Sequence, residues 1–299
     1  MASRIDLEIP AEGATLAAHL YVPEGATGPL PAITMAIGFA GTKEIFLPEF
    51  AKAFTDAGFV VIAHDHRNFG ASTGTPRFDV NPWQQIADWR RVISVLEARP
   101  EVDASRIGLW GTSYAGGHAI VLGATDRRLK AVVANCPFVD GRQDYVRRIS
   151  PENYAALEEK YNEDERNQAR GVSPQLVAVA EADPAAEALW HSAEIAAVYK
   201  AEGPDGTAGD NLVTLRSGRM ISTYDPGSFI ARVSPTPLLM VAGTHDTMTP
   251  TDTQLAAYEN ALEPKRLRLL PGGGHFDPYI AQFDLASGEA VEWFTQHLS

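Results

Sequence analysis

Cysteine is nearly absent from this chain. The 299 residues include one cysteine, Cys136, so no disulfide can form within the chain. Proteins that rely on disulfides belong to oxidising compartments, and the composition therefore predicts a reducing, cytoplasmic location. Cys136 ends a short apolar segment that we predict to be a strand, and we expect a buried core thiol rather than a nucleophile.

Positive charge is also scarce. The chain has 25 Lys and Arg residues against 38 Asp and Glu residues, which gives a net charge of −13 at pH 7. A protein with this charge repels the phosphates of nucleic acids and the surfaces of anionic membranes. We therefore expect neither nucleic acid nor a membrane as a partner.

Long apolar runs are missing as well. No segment approaches the roughly 20 apolar residues that span a bilayer. Asp6 and Glu8 lie where a secretory signal would need its apolar core. With 45% hydrophobic residues the chain can nevertheless bury one large core, in a single α/β domain with an insertion or in two domains.

The most informative feature that is present is a serine at a predicted strand-to-helix turn. An apolar strand pattern covers residues 106–110, Ser113 follows, and a helix is predicted to begin among the small residues Ala115, Gly116 and Gly117. A tight turn of this kind presents a serine hydroxyl at the end of a sheet, and helix N-terminal amides favour negative charge beside it. The pattern predicts a serine nucleophile, with Ala115 in place of the usual second glycine.

Two later segments supply the groups that a nucleophilic serine needs. Asp246 follows a strand predicted at 237–242, and His275 follows a strand predicted at 266–270 and a glycine loop. A histidine takes the serine proton, and a carboxylate fixes the tautomer of that histidine. Because parallel strands end at one edge of a sheet, we expect Ser113, His275 and Asp246 to meet there.

Neighbouring residues offer alternatives for two of these roles. His245 is a second candidate for the base, and Asp277 and Asp140 are further candidates for the acid. We favour His275 because glycines precede it, and Asp246 because it lies directly past the end of its strand.

His64, Asp65 and His66 look like metal ligands by composition. Alternating residues after a strand point in different directions, however, and no further ligand type stands at a useful spacing. We expect Asp65 and Arg67 to brace a turn, and we expect neither a metal nor an organic cofactor.

Together these motifs resemble the α/β-hydrolase family over nearly the whole chain. Residues 65–72, Asp-His-Arg-Asn-Phe-Gly-Ala-Ser, resemble the family's Asp-x-Arg-Gly-x-Gly-x-Ser turn, and residues 102–108 resemble the segment that leads into its nucleophile strand. Residues 273–277, Gly-Gly-His-Phe-Asp, are similar to the branch of dienelactone hydrolases and prolyl-peptidase-like esterases. The resemblance implies an α/β-hydrolase fold, with a mostly parallel eight-stranded sheet, helices on both faces and a helical cap inserted after strand 6.

The resemblance also implies an oxyanion hole. Its two donors would be the backbone N–H groups of Phe39, in the loop after the third strand, and of Tyr114, the residue after the nucleophile. Ile37 stands where the family usually has a histidine. Because the donors are backbone groups, we expect the site to stay active.

The predicted elements divide the chain into a core of residues 1–137 and 235–299 and a cap of residues 138–234. Core strands are predicted at 3–10, 14–22, 31–37, 59–64, 106–110, 130–135, 237–242 and 266–270. Core helices are predicted at 44–57, 83–98, 115–124, 251–262 and 284–298. Cap helices are predicted near 151–169, 173–181, 184–201 and 217–230, with a loop from Gly203 to Gly206. Such a cap would enclose a pocket for a small or medium organic substrate, with Tyr145, Trp190 and Tyr224 as candidate contacts.

The expected reaction is acyl transfer to water. Ser113 would attack the carbonyl of a carboxylic ester, thioester or lactone of a small-molecule substrate. One alternative is an enzyme that uses the same three residues as a carbon–carbon bond hydrolase, a lyase or a cyclase in small-molecule or polyketide metabolism. Another alternative is a receptor that binds a ligand on the same fold. A homodimer is left open as a partner.

Overall fold

The structure is a computed structural model that describes residues 3–201 and 210–298. Its strands are β1 (Ser3–Ala11), β2 (Ala14–Val22), β3 (Leu30–Ala36), β4 (Val60–His64), β5 (Val102–Thr112), β6 (Leu129–Asn135), β7 (Leu176–Glu181), β8 (Ala188–His191), β9 (Leu212–Thr214), β10 (Leu238–Gly243) and β11 (Lys265–Leu270). Its α-helices are α1 (Leu47–Asp56), α2 (Pro82–Glu97), α3 (Tyr114–Thr125), α4 (Gly141–Arg148), α5 (Pro151–Gln168), α6 (Ala193–Lys200), α7 (Leu215–Thr223), α8 (Thr251–Asn260) and α9 (Phe283–Leu298). Two 3₁₀ helices cover Pro226–Arg232 and Asp277–Tyr279.

Eight of the strands form one twisted sheet in the order β1-β2-β4-β3-β5-β6-β10-β11. β2 runs antiparallel to β1 and to β4, and the other neighbouring pairs are parallel. The predicted sheet is therefore confirmed, with strand ends that differ from the predicted ones by a few residues. Because β5, β10 and β11 are mutually parallel, the residues that follow them lie at one edge.

Helices cover both faces of this sheet, as predicted. Trp89 of α2 and Ile120 of α3 pack in the core on one face, whereas Phe50 of α1 and Phe294 of α9 pack in the core on the other. All four side chains are fully buried. Strands covered on both sides are buried along their whole length, which explains why every residue of β4 and β10 is buried and why both strands are apolar apart from His64 at the end of β4.

The segment between β6 and β10 contains strands as well as helices. The helix predicted near 151–169 is α5, and α7 with the first 3₁₀ helix occupies the segment predicted near 217–230. The helix predicted at 173–181 is wrong, because β7 lies there and forms a three-stranded sheet in the order β8-β7-β9. The helix predicted at 184–201 is correct only in part, since β8 precedes α6 within it.

The sequence of β7 explains the error. Its alanines favour a helix, but its valines alternate, and Val177 and Val179 both face the core. The buried Asn211 completes the strand: its side chain accepts a hydrogen bond from the backbone N–H of Ala180 and donates one to the carbonyl of Ala180. The insertion is thus a mixed α/β segment rather than a purely helical one. The loop predicted from Gly203 to Gly206 lies outside the described residues.

Asp65 braces a turn, as predicted. It accepts hydrogen bonds from the Lys43 backbone N–H at 2.7 Å, the Lys43 ammonium at 2.9 Å and the Ala71 N–H at 2.9 Å. Arg67 forms an ion pair with Asp88 of α2, with its Nε 2.5 Å from a carboxylate oxygen.

In residues 3–201 and 210–298, no group of three or more His, Cys, Asp or Glu side chains is arranged to hold a metal ion. Nor does any helix of that part have the length and hydropathy that crossing a bilayer requires.

His64 and His66 pack as neutral rings. Their centroids are 5.2 Å apart, and both rings contact Trp89 edge to face. Burial lowers the pKa of His66 to about 4, against an opposing effect of the Ile37 backbone. Burial also holds the pKa of His64 well below its ordinary value. The unfolded chain therefore binds protons on these rings at a pH where the folded protein does not.

We expect acid to destabilise the fold through these rings. A group whose pKa is lowered on folding weakens the folded state as the pH falls from about 6.5 to about 4, by about 3 kcal/mol at most for His66. His66→Phe retains a ring and removes the titration, so its free energy of unfolding should fall less steeply over that range. Urea unfolding at a series of pH values measures the slope. His191→Phe, at an exposed position, is the control, and equal slopes in the two variants would contradict the prediction.

Candidate active site

Ser113 lies at the turn between β5 and α3 with a strained backbone. Its φ of 55° and ψ of −121° are unusual for a residue with a side chain. Hydrogen bonds on both sides hold this conformation: the Ser113 N–H donates to the Asn135 carbonyl at 2.9 Å, and the Ser113 carbonyl accepts from the Phe138 N–H at 2.8 Å. The strain is thus maintained by β6 and by the start of the insertion.

Small residues around Ser113 are required by close backbone contacts. A Cβ at Gly111 would lie 2.2 Å from the Ala115 carbonyl oxygen, and a Cβ at Gly117 would lie 2.6 Å from the Phe138 carbonyl oxygen. Ala115 itself is fully buried and has no positive φ, so the turn accepts a methyl group at that position. The departure from the usual second glycine leaves the turn intact.

Ser113, His275 and Asp246 form a hydrogen-bonded chain at the sheet edge. The His275 Nε2 lies 3.1 Å from the Ser113 Oγ, and the His275 Nδ1 lies 2.9 Å from the Asp246 Oδ2. His275 and Asp246 are 6% and 4% exposed, so both are shielded from bulk water. A carboxylate only accepts, so Nδ1 carries the proton and leaves Nε2 free to accept the serine proton. This is the geometry that activates a serine for attack.

Asp246 is ionised in this environment. Burial tends to raise its pKa, but the attraction of His275 and hydrogen bonds from His275 and Thr249 outweigh burial and lower the pKa below its ordinary value. The N–H groups of Met248 and Thr249 donate to Oδ1 at 2.9 and 3.0 Å, and the Thr249 hydroxyl lies 2.8 Å from Oδ2. The carboxylate is therefore fixed as well as charged.

Thr249 was not predicted as part of this site. Besides Asp246, its hydroxyl reaches the Cys136 carbonyl at 3.0 Å and lies 3.2 Å from the His275 Nδ1. A threonine three residues after an aspartate in a loop is a known side-chain-to-backbone pattern, so the spacing could have been a signal. Cys136 is buried as predicted, and burial raises the pKa of its thiol above its ordinary value.

The alternative residues make other contacts. His245 is exposed, and its backbone N–H bonds the Gly273 carbonyl. Asp277 accepts a 2.6 Å hydrogen bond from the Gly274 N–H and so braces the loop before His275. Asp140 caps the N-terminus of α4 through the Gln143 N–H at 2.8 Å.

The loop after β3 passes directly beside Ser113. A Cβ at Gly38 would lie 2.7 Å from the Ser113 Cβ, so only glycine fits there. In the described part of the chain, the N–H of Phe39 meets no acceptor. Tyr114 is the first residue of α3, where an N–H has no partner within the helix. Both predicted oxyanion donors are thus adjacent to the serine and available to a ligand.

Two residues of the insertion hold the Phe39 loop. The Tyr199 hydroxyl of α6 donates to the Phe39 carbonyl. The Trp190 ring packs edge to face on the Phe39 ring with centroids 5.2 Å apart. The insertion therefore contacts the loop directly, at the peptide group next to the free N–H.

An apolar cleft of about 690 Å³, including open solvent at its mouth, leads to Ser113. Trp190, one of the three candidate contacts, lines it, and so does Ile37, which stands where the family usually has a histidine. Tyr199, a further cap tyrosine that the sequence offers as a pocket residue, also lines it. The sequence did not point to the lining residues Ile45, Phe46, Phe138, Asp144, Val198, Ile221, Met248, Phe276 and Tyr279.

The other two candidate contacts, Tyr145 and Tyr224, do not line this cleft. Tyr145 lines a neighbouring cavity within the insertion instead of the cleft. Tyr224 is 1% exposed and packs behind Tyr114, with its hydroxyl 2.8 Å from the Nδ1 of the buried His118. Aromatic residues at the interface of a cap serve as core more often than as ligand contacts, and sequence alone did not separate the two uses.

Comparison with known proteins places this geometry in a family. The model of the X-Pro dipeptidyl-peptidase (S15) family matches residues 12–277. The quorum-quenching protein AidA of Acinetobacter baumannii is 31% identical over 93% of this chain and 90% of that protein. The thiohydrolase aneE of Aspergillus aculeatus is 30% identical over 88% of this chain and 83% of that protein. The crystal structure of the α/β-hydrolase GrgF from Penicillium has a TM-score of 0.86 at 27% identity, over 99% of each chain.

Removal of the Thr249 hydroxyl tests its contribution to the site. Thr249→Val keeps the shape and deletes the hydrogen bond to Asp246, so we expect hydrolysis of an activated ester to slow about tenfold or more. Steady-state kinetics measure this. Thr253→Val, which deletes a hydroxyl bonded only to the Pro250 carbonyl in the same region, is the control. Equal rates for the two variants would contradict the prediction.

Proposed function

The chain belongs to the X-Pro dipeptidyl-peptidase (S15) family of α/β-hydrolases, and from this premise we propose that it cleaves a carboxylic ester, thioester or lactone through an acyl-enzyme on Ser113. The observation that carries the proposal is the pair of distances from His275 to Ser113, 3.1 Å, and to Asp246, 2.9 Å. The protein is a hydrolase, and the resemblance drawn from its motifs is confirmed at the level of the superfamily.

In the proposed mechanism the Ser113 Oγ attacks the carbonyl carbon while its proton moves to the His275 Nε2. Asp246 stabilises the imidazolium through Nδ1–H. The negative charge on the former carbonyl oxygen is bound by the N–H groups of Phe39 and Tyr114. His275 then donates its proton to the departing alkoxide or thiolate. Water attacks the acyl-enzyme by the same route and releases the acid and Ser113. No metal or organic cofactor enters these steps.

The nature of the cleft supports an acyl group that is largely apolar. Aromatic and aliphatic side chains form most of its lining, and such a surface binds hydrocarbon by the area that it removes from water. Relatives named thiohydrolases support thioesters as substrates as well as oxygen esters. Those names favour ester chemistry over the alternative of carbon–carbon bond cleavage or a lyase.

We further propose that residues 138–234 act as a cap on a core formed by residues 1–137 and 235–299. Trp190, Val198, Tyr199 and Ile221 support this, since they come from the insertion and line the cleft. A cap that excludes water strengthens every electrostatic interaction inside the site.

A cytoplasmic location and a homodimer remain predictions, which cell fractionation and light scattering would test.

The proposal is tested with p-nitrophenyl esters and acyl thioesters of increasing chain length. We expect turnover by the wild type and a loss of at least about 10³-fold in Ser113→Ala. A serine-directed phosphonate should add once to the intact protein, and peptide mapping should find it on Ser113. Full turnover by Ser113→Ala would overturn the proposal. An adduct without ester turnover would instead favour the carbon–carbon or lyase alternative.

Tyr199→Phe tests the link between the cap and the oxyanion loop. Without its hydroxyl the Phe39 peptide group loses one restraint, so we expect kcat to fall about tenfold, less than for loss of an oxyanion donor. KM should change little, because the ring remains in the cleft wall. Tyr154→Phe, at an exposed tyrosine of α5, is the matched control. A change in KM alone would indicate that Tyr199 acts only in binding.

A further inference from the structure

One acidic side chain lies among the apolar residues of the cleft. Among the described residues that line it, Asp144 of α4 is the one carboxylate, and its side chain is only 5% exposed. The proposed reaction makes no use of it. A carboxylate in such surroundings is costly unless its oxygens have partners.

Arg148 satisfies one oxygen of Asp144 from behind. Its Nε and Nη2 lie 2.8 and 2.7 Å from the Asp144 Oδ2. The other oxygen, Oδ1, has no hydrogen-bond partner in residues 3–201 and 210–298. The carboxylate thus has a free acceptor in a cleft whose lining is mostly aromatic and aliphatic.

The position of this ion pair is fixed by its surroundings. Arg148 lines a second cavity within the insertion, which shares Trp190 and Ile221 with the cleft. Its guanidinium also stacks 5.0 Å from the Trp190 ring and donates to the Leu189 carbonyl at 3.2 Å. Asp144 and Arg148 therefore form part of the wall between the two cavities, with the carboxylate on the side of the cleft.

The helix that carries Asp144 is equally fixed. The Gly141 N–H donates to the Tyr224 carbonyl at 2.9 Å. A Cβ at Gly141 would lie 2.0 Å from the Ile221 carbonyl oxygen, so α4 packs directly on α7. A rigid acceptor of this kind discriminates between ligands better than a mobile one, since it cannot withdraw from a poor match.

We propose that Asp144 selects an acyl chain that carries a hydroxyl group, whose O–H donates to the Asp144 Oδ1. This inference rests on the proposed function and specifies its substrate class. A neutral hydroxyl fits better than an ammonium group, because Arg148 already balances the charge of the carboxylate. A plain hydrocarbon chain would remove water from Oδ1 and leave that oxygen without a partner, and a site of this kind rejects such an analogue strongly.

The test uses octanoyl thioesters with one common thiol. One is unsubstituted, and the others carry either a hydroxyl or an oxo group at successive carbons. For the carbon that meets Asp144, we expect the wild type to prefer the hydroxyl over the plain chain by about ten- to a hundredfold in kcat/KM. The oxo compound should be the poorest of the three, because its oxygen only accepts and faces a carboxylate.

Two substitutions at Asp144 separate recognition of the substrate hydroxyl from structural support of Arg148. An arginine side chain has donors and no acceptor, so in Asp144→Asn the Arg148 guanidinium bonds the amide oxygen of the new side chain. The NH₂ group then faces the cleft. The oxo compound should then gain at least about tenfold relative to the hydroxyl compound. In Asp144→Leu the hydroxyl preference should fall to within about threefold of unity. Asp252→Asn, which alters the exposed ion pair of Arg147, is the matched control and should keep the wild-type ratios.

Two results would overturn the inference. One is a wild type that shows no hydroxyl preference at any carbon. The other is a preference that Asp144→Asn leaves unchanged, which would assign to Asp144 only the support of Arg148. Because the result is a ratio between substrates, it is separate from the proposed function, which fails if turnover survives in Ser113→Ala or if the wild type cleaves none of the esters and thioesters. Should Asp144→Leu fold poorly, the nearly isosteric Asp144→Asn still decides.

Discussion

The positive φ of the Ser113 backbone is the constraint on which the rest of the site depends. A residue with a side chain at φ 55° costs of the order of 1–3 kcal/mol, and it persists only where neighbours over-determine it. Here β6 and the start of the insertion bond both peptide groups of the serine, and bare backbone at Gly111 and Gly117 lets the turn close. The strain aims the hydroxyl out of the sheet edge, where His275 can reach it.

The site is built from two parts of the chain, the sheet and the inserted segment, which supply different residues. Asp246 follows β10 and His275 lies in the loop after β11, and these two strands pair with each other without the insertion. The insertion supplies much of the cleft wall, and through Tyr199 and Trp190 it also touches the loop that offers the Phe39 N–H. The cleft wall and the Phe39 loop are therefore mechanically connected, although they come from different parts of the chain.

Local, strongly patterned features could be read from sequence, and features that depend on partners far along the chain could not. Ser113, Asp246 and His275 each follow an apolar strand, so their meeting at one sheet edge was predictable from parallel topology. β7 was not, because its alanines favour a helix and its strand partners, β8 and β9, are short. The position of Asp144 in the cleft was equally hidden, since a carboxylate one turn into a helix usually faces water. Only the fold turns it towards a cleft and sets Arg148 behind it.

The insertion enters and leaves the sheet at neighbouring strands. β6 and β10 are parallel neighbours, and the two ends of the insertion are joined by hydrogen bonds from the Gly227 N–H to the Val139 carbonyl at 2.8 Å and from the Gly141 N–H to the Tyr224 carbonyl at 2.9 Å. A segment attached in this way can be exchanged as a module, in evolution or by grafting, without disturbing the hydrogen-bond ladder beneath the nucleophile. Replacing the segment has one requirement besides its two connections to the core. A new segment must again provide a donor for the Phe39 carbonyl, or it would confer a new selectivity at the expense of rate.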